Sequence, residues 1–333
     1  MRKILKLERN AYFLSHSAVG GYEERRGPLG NKFDLFSEDD RFGMKSWEAA
    51  EAEMGRLSLN VALKKASLYQ SDIEVLLAGD LENQCVASSS GLYSFGIPYI
   101  GLYSACSTCT ESLLLLSALI SAGLVDLGAT VTTSHNSAAE RQFRTPIEYG
   151  AQRTPTAQWT ATAAGSFILS SKEGKAYIDS CMIGKSVDGL TTDASNMGAA
   201  MARAAFDSIY TYFDLSGDDP KSFDKIVTGD LGVVGSNILS ELLSKEIRGA
   251  AEIHEDCGKL LYDLSLPNVR AGGSGCGCSA SVLASHFIPS IEKGDINKIL
   301  FLSTGALMNP SSVLQGSNIL GIAPVIKINR KTK

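Results

Sequence analysis

The chain has 333 residues, 44% of them hydrophobic and 20% charged, with a formal net charge of −5. That length and apolar content predict one large domain or two fused ones around a sizeable core. The mild acidity, with no basic stripe and only scattered cations at the ends (Arg2, Lys3, Lys6, Lys327, Arg330, Lys331, Lys333), argues against a nucleic-acid partner and gives no polybasic membrane patch.

In chain order, Ala11-Tyr12-Phe13-Leu14 reads as a first strand. Glu8, Arg9 and Asn10 interrupt the apolar core that a signal peptide needs, so the protein is expected to stay on the side of the membrane where it is made. A helix is expected over 47–68, then a short buried strand ending in Gly79-Asp80-Leu81. Tyr99-Ile100 belongs to an extended segment that runs into Ala105-Cys106-Ser107-Thr108 and a helix over 108–122, closed by Gly123. The apolar run from Leu113 to Val125 in this region is too short to span a bilayer and reads as a buried helix. The strand Ala129-Thr130-Val131-Thr132-Thr133 follows.

The second half repeats this order. Ala176-Tyr177-Ile178-Asp179 matches the first strand, and a helix is expected over 196–213. Ile226-Val227-Thr228-Gly229-Asp230-Leu231 repeats the Gly-Asp-Leu ending, Gly277-Cys278-Ser279-Ala280 opens a helix over 279–292, and Ile299-Leu300-Phe301-Leu302-Ser303 supplies the following strand. Strands alternating with helices predict mixed or parallel sheets covered by helices.

Cys106 is the most informative residue. Thr108 and Glu111 have the spacing of a capping box, which places a helix start beside the thiol. A cysteine there meets the positive end of the helix dipole, so its pKa is expected to fall; the plainer alternative is a small buried thiol. The seven cysteines suit reduced thiols. The spacings Cys106/Cys109 and Cys276/Cys278 raise a zinc or redox pair, but they lack the usual knuckle pattern and are read as neither.

The strand-to-helix cysteine, the glycine-rich segment 271–279 and the duplication resemble the thiolase and ketoacyl-synthase superfamily. More narrowly, the chain resembles the stage V sporulation protein AD family over nearly its whole length. The runs that carry this are Ala78-Gly79-Asp80-Leu81, Ala105-Cys106-Ser107-Thr108, Ser134-His135-Asn136, Glu140-Arg141-Gln142-Phe143-Arg144, Glu148-Tyr149-Gly150, Asp256-Cys257-Gly258 and Gly272-Gly273-Ser274-Gly275-Cys276. The resemblance implies a thiolase-like α/β fold of two pseudo-symmetric halves, 1–172 and 173–333, in an α/β/α/β/α layering. It also implies a part in taking dipicolinate into the developing spore, with membrane proteins of the same operon as partners and a peripheral place at the forespore inner membrane. No cofactor is implied beyond Ca²⁺ arriving with dipicolinate, and homodimers are common in the superfamily.

The superfamily's chemistry needs a base or oxyanion donor beside the cysteine. The expected second-half His would fall at Thr228-Gly229-Asp230-Leu231, and its Asn or His partner among 272–275; neither is present. The resemblance therefore points to a ligand-binding protein that does no condensation, with an acyl-transferring enzyme using Cys106 as the alternative. Cys106, Asp256 and Cys257 are the ligand-contacting residues it implies, with Asp256 suited to completing a calcium shell. By sequence alone Asp256-Cys257-Gly258 is an ordinary turn. Arg141 and Arg144 are either carboxylate clamps or ion pairs with Glu140, Glu148 or a second subunit. His16 and His286 read as satisfied core or surface residues, His254 as part of a solvated loop, and His135 as a structural residue bonding the 140–150 loop. Asp80 and Asp230 are expected to do one structural job twice.

Overall fold

The computed structural model describes residues 2–143 and 153–332. Ten strands form one hydrogen-bonded path: β1 Leu5–Gly20, β2 Val75–Gly79, β3 Tyr99–Gly101, β4 Leu127–Ser134, β5 Ala163–Ser170, β6 Ala176–Met182, β7 Lys225–Thr228, β8 His254–Asp256, β9 Lys298–Leu302 and β10 Val325–Arg330. Their spatial order is β3-β2-β4-β5-β1-β6-β10-β9-β7-β8, with Leu35–Phe36 added beside β1. Each set of five follows one rule, in which the third, second, fourth, fifth and first strands lie side by side. Directions repeat as well: β2 is parallel to β3 and β4, β7 is parallel to β8 and β9, and the remaining neighbours along the ten-strand path are antiparallel. The two sets meet where β1 pairs with β6, Ala11 opposite Ile178.

Side-chain alternation along these strands produces the layers. Ile299 and Phe301 of β9, with Val75 and Leu77 of β2, enter a central cluster around Leu113, Leu116 and Ile120. Leu300 and Leu302 face the other way, against Met201 and Ile209 of helix Met197–Ser216 and Leu239 and Leu243 of helix Gly232–Glu246. Leu76 and Ala78 pack outward on Leu59 and Leu63 of helix Trp47–Ala66. Helix, sheet, helix, sheet and helix follow in turn, and strands covered on both faces explain the near-continuous apolar runs.

The expected helices are present with small corrections. The first ends at Ala66 because Ser67 turns left-handed (φ 56°). The last long helix starts earlier, at Cys276, and widens over Leu283–Phe287 into a π turn where Pro289 withholds its N–H. The helices Val86–Leu92 and Gly232–Glu246 were not foreseen, since glycine-containing stretches mask their period. All seven cysteines are free and buried.

The central helix Thr108–Ser121 is tied to the other half by a reciprocal pair. Thr110 N–H donates to Ser303 Oγ (2.9 Å) and Ser303 N–H donates to Thr110 Oγ1 (2.8 Å), both fully buried. Ser303→Ala leaves the Thr110 N–H without that acceptor. It is expected to lower the unfolding free energy by about 1–3 kcal/mol in a urea melt, whereas a change at exposed Ser244 should stay within about 0.5 kcal/mol.

Candidate functional site

Cys106 occupies a single 3₁₀ turn, Ala105–Ser107, between β3 and the central helix. Ala105 is held at φ 49°, a left-handed conformation that costs a non-glycine residue roughly 1–3 kcal/mol. The turn is pinned by Ser107 Oγ donating to Ser104 O (2.6 Å) and Thr108 Oγ1 donating to Ala105 O (2.7 Å). The Thr108/Glu111 capping box does not form: Ser107 is the N-cap, without a side-chain bond, and Thr108 turns back to the strained turn.

Ala105 and Cys106 line a cavity of about 550 Å³, within the usual range for small-molecule sites. Leu81, Phe143, Met197 and Met308 give it apolar walls, and Arg153, Gln158 and Ser274 bring polar groups. The Arg153 guanidinium donates to Glu140 (2.9 Å) and to Gln158 O (3.0 Å), and lies over the Trp159 ring at 4.6 Å.

The thiol is not activated. Burial pushes the Cys106 pKa well above the ordinary thiol value, and the negative charge of Asp230 pushes the same way; backbone N–H groups at Gly275 and Cys106 oppose this with less effect. The dipole expectation is therefore reversed, because desolvation and a neighbouring carboxyl outweigh one helix end. Asp230 is fully buried and electrostatically close to the thiol. Its Oδ1 accepts from Thr304 N–H (3.2 Å) and Oγ1–H (2.7 Å), and burial raises its pKa to about 7. It divides between neutral and charged forms near neutral pH. Asp80, expected to do the same structural job as Asp230, also accepts backbone N–H and hydroxyl donors within its own half, but from Glu82 and Ser88 in the segment that directly follows it.

Asp256 and Cys257 are not brought to the cavity lining. The Asp256 carboxylate accepts from Thr228 Oγ1–H (2.7 Å), Leu231 N–H (2.8 Å), Gly232 N–H (2.9 Å) and Lys259 N–H (3.2 Å). It caps the helix Cys257–Leu261 and holds the loop that carries Asp230, so its lone pairs are committed there and not to a calcium shell. Cys257 is fully buried in the central core beside Leu261 and Tyr262. Both remain electrostatically close to Asp230.

The other candidates fall elsewhere. Arg141 pairs with Glu48, while Arg144 lies outside the described residues. His135 bonds Asp40 O (2.9 Å) and accepts from Ser137 N–H (3.1 Å), with its ring beside Trp47. His254 sits on β8 against Thr228 Oγ1 (2.9 Å), and burial lowers its pKa to about 4, so it does not belong to a solvated loop. Among the described residues no histidine lines the cavity. Arg153, Gln158 and Asp230 were missed as site residues. Only the Gly-Asp-Leu repeat hinted at Asp230, and nothing in the local sequence marks the other two.

This architecture, with a cysteine presented at a strained turn between duplicated halves, defines a thiolase-type α/β protein. The fold is shared with a 3-oxoacyl-[acyl-carrier-protein] synthase III from Aquifex aeolicus VF5, at TM-score 0.58 and 12% identity over 95% of this chain and 99% of that one. It is shared also with Xanthomonas campestris OleA, at TM-score 0.60 and 12% identity over 97% and 99%. Within that class the sequence is more specific: the model of the family "Stage V sporulation protein AD (SpoVAD)" matches residues 1–329. The chain is 39% identical over 316 residues to the Bacillus subtilis (strain 168) Stage V sporulation protein AD, covering 95% of this chain and 93% of that one. The chain belongs to the stage V sporulation protein AD family. Among the described residues no helix is long and apolar enough to cross a membrane.

If Asp256 holds the Asp230 loop, Asp256→Ala strands three buried donors and the part-buried Lys259 N–H. Denaturant melts are expected to show a loss of about 3 kcal/mol or more, partly restored in Asp256→Asn. An unchanged midpoint would remove the scaffold role.

Proposed function

We propose that the chain is a dipicolinate-binding protein of sporulation that holds its ligand in the Cys106 cavity without converting it. In this reading it passes the ligand to membrane proteins of the same operon from a peripheral place at the forespore inner membrane. Ca²⁺ enters only as cargo chelated by dipicolinate. The observation that carries the reading is the pairing of an apolar slot with the Arg153 guanidinium over a thiol that stays neutral. A flat ring with two carboxylates needs apolar walls and a bidentate cation, and a thiolate on the floor would repel it.

A condensing role is disfavoured by sterics as well as by residue identity. A Cβ added at Gly229 would fall 2.8 Å from Ser279 Cβ and Ser303 Cα. At Gly275 (φ 96°) it would fall 2.6 Å from Ser134 Oγ. Gly229 and Gly275, two of the positions where the superfamily's His and its partner were sought, thus have no room for a side chain unless their neighbours shift. Cys106 is the direct contact in this account. Asp256 and Cys257 act from behind the floor, Asp256 by positioning Asp230.

Calorimetric titration with dipicolinate, with and without Ca²⁺, is the test, with isophthalate as the control lacking the ring nitrogen. Saturable binding is expected for dipicolinate, weakened about tenfold or more in Arg153→Ala, the size of a lost charged hydrogen bond, and weakened also in Cys106→Ala. No heat at millimolar ligand would sink the proposal. Rapid, stoichiometric acylation of Cys106 by an acyl-CoA near neutral pH would favour the acyl-transfer alternative.

A further inference from the structure

We infer that the cavity reads a carboxyl group that keeps its proton, so that dipicolinate free of Ca²⁺ binds as the monoanion, with Gln158 and Ser274 as the residues that recognise the acid group. The inference rests on the dipicolinate reading above and adds which form of the ligand the site selects.

The wall beside Cys106 is a two-stranded parallel ladder, Trp159–Thr160 against Gly273–Ser274, with Ser274 opposite Thr160. Residues two apart on a strand share a face, so Gln158, Thr160 and Ser274 project to one side, and all three line the cavity. Gln158 and Ser274 are only 4% and 1% exposed. The orientation of the Gln158 amide is set by its donors: Nε2 bonds both Asp230 O and Gly273 O at 2.7 Å. Flipping it would press its oxygen against two carbonyl oxygens. Gln158 Oε1 is therefore a fixed acceptor, and it has no hydrogen-bond partner in the protein; neither has Ser274 Oγ.

Each such buried atom costs about 1–3 kcal/mol until something meets it. One acceptor and one hydroxyl are complemented by a group that carries both a donor and an acceptor, which means a carboxylic acid or a carboxamide. A carboxylate would take the Ser274 O–H but would set oxygen against Gln158 Oε1 with no proton between them. Arg153, bonded to Gln158 O on the same wall, takes the second, ionised carboxylate. The other titratable or charged groups around this corner are Cys106 and Tyr103 near the turn, Asp230 after β7 with Asp256 behind it, and Glu140 bonded to Arg153. Asp230 also changes charge near pH 7, so the test must separate its proton from the ligand's.

The experiment compares dipicolinate with its monoamide, 6-carbamoylpyridine-2-carboxylate, by calorimetry at pH 7.5 and 5.5. It uses the parent protein and Asp230→Asn, with Ser274→Ala as a third protein checked by thermal melting. The monoamide is expected to bind at least about tenfold more tightly than dipicolinate at pH 7.5, with the gap narrowing at pH 5.5 as dipicolinate gains its proton. The same narrowing should persist in Asp230→Asn, and Ser274→Ala should weaken the monoamide several-fold. Equal or tighter binding of dipicolinate at pH 7.5, or a ratio that does not move with pH in Asp230→Asn, would overturn the inference and leave the proposed function standing. Binding of neither ligand would overturn both.

Discussion

The site depends on one constraint: a carboxyl group, Asp230, is fully buried and electrostatically close to a thiol, with one of its oxygens met by hydroxyl and backbone donors. Removing a carboxylate from water is costly, and the group responds by holding its proton up to about pH 7. The same burial keeps Cys106 protonated. Everything that fixes this contact comes from the duplication. One half presents Cys106 at the strained turn, the other presents Asp230 at the end of β7, and the Thr110–Ser303 pair clamps the halves where the two meet.

The duplication also shows how a repeated element diverges. Asp80 and Asp230 end equivalent strands, yet the donors around Asp80 come from its own following segment, whereas Asp230 takes donors from Thr304 and turns toward the thiol. Asp256 supports this second arrangement from behind by gripping Leu231 and Gly232. The result keeps the fold shared with a 3-oxoacyl-[acyl-carrier-protein] synthase III and OleA, and sets Cys106 in surroundings that hold its proton.

Much of the fold was legible because it rests on local pattern. Gly-Asp-Leu endings, apolar strands and helix-closing glycines marked both halves, and the continuous apolar runs foretold strands covered on both faces. The site was less legible. Cys106 stood out by its place before a helix, but the sign of its pKa shift follows from its burial, with Asp230, far off in the chain, adding to it, and neither is visible in the local sequence. Asp256 reads as a turn residue, and only the fold shows four donors converging on it. Gln158 and Arg153 carry no local signal, since their roles follow from the pairing of Trp159–Thr160 with Gly273–Ser274, distant in the chain. Elements follow nearest-neighbour periodicity, while sites are assembled across it.

The claim that this cavity is a neutral binding site and not a nucleophile's pocket is tested most directly by titrating the Cys106 thiol. Cysteine labelled with ¹³C at Cβ reports ionisation by NMR, with Cys106→Ala assigning the resonance. The account predicts that Cys106 remains a thiol through about pH 9, where a free cysteine has largely ionised. A thiolate forming below about pH 7.5 would contradict it and return the chain to the company of acyl-transfer enzymes.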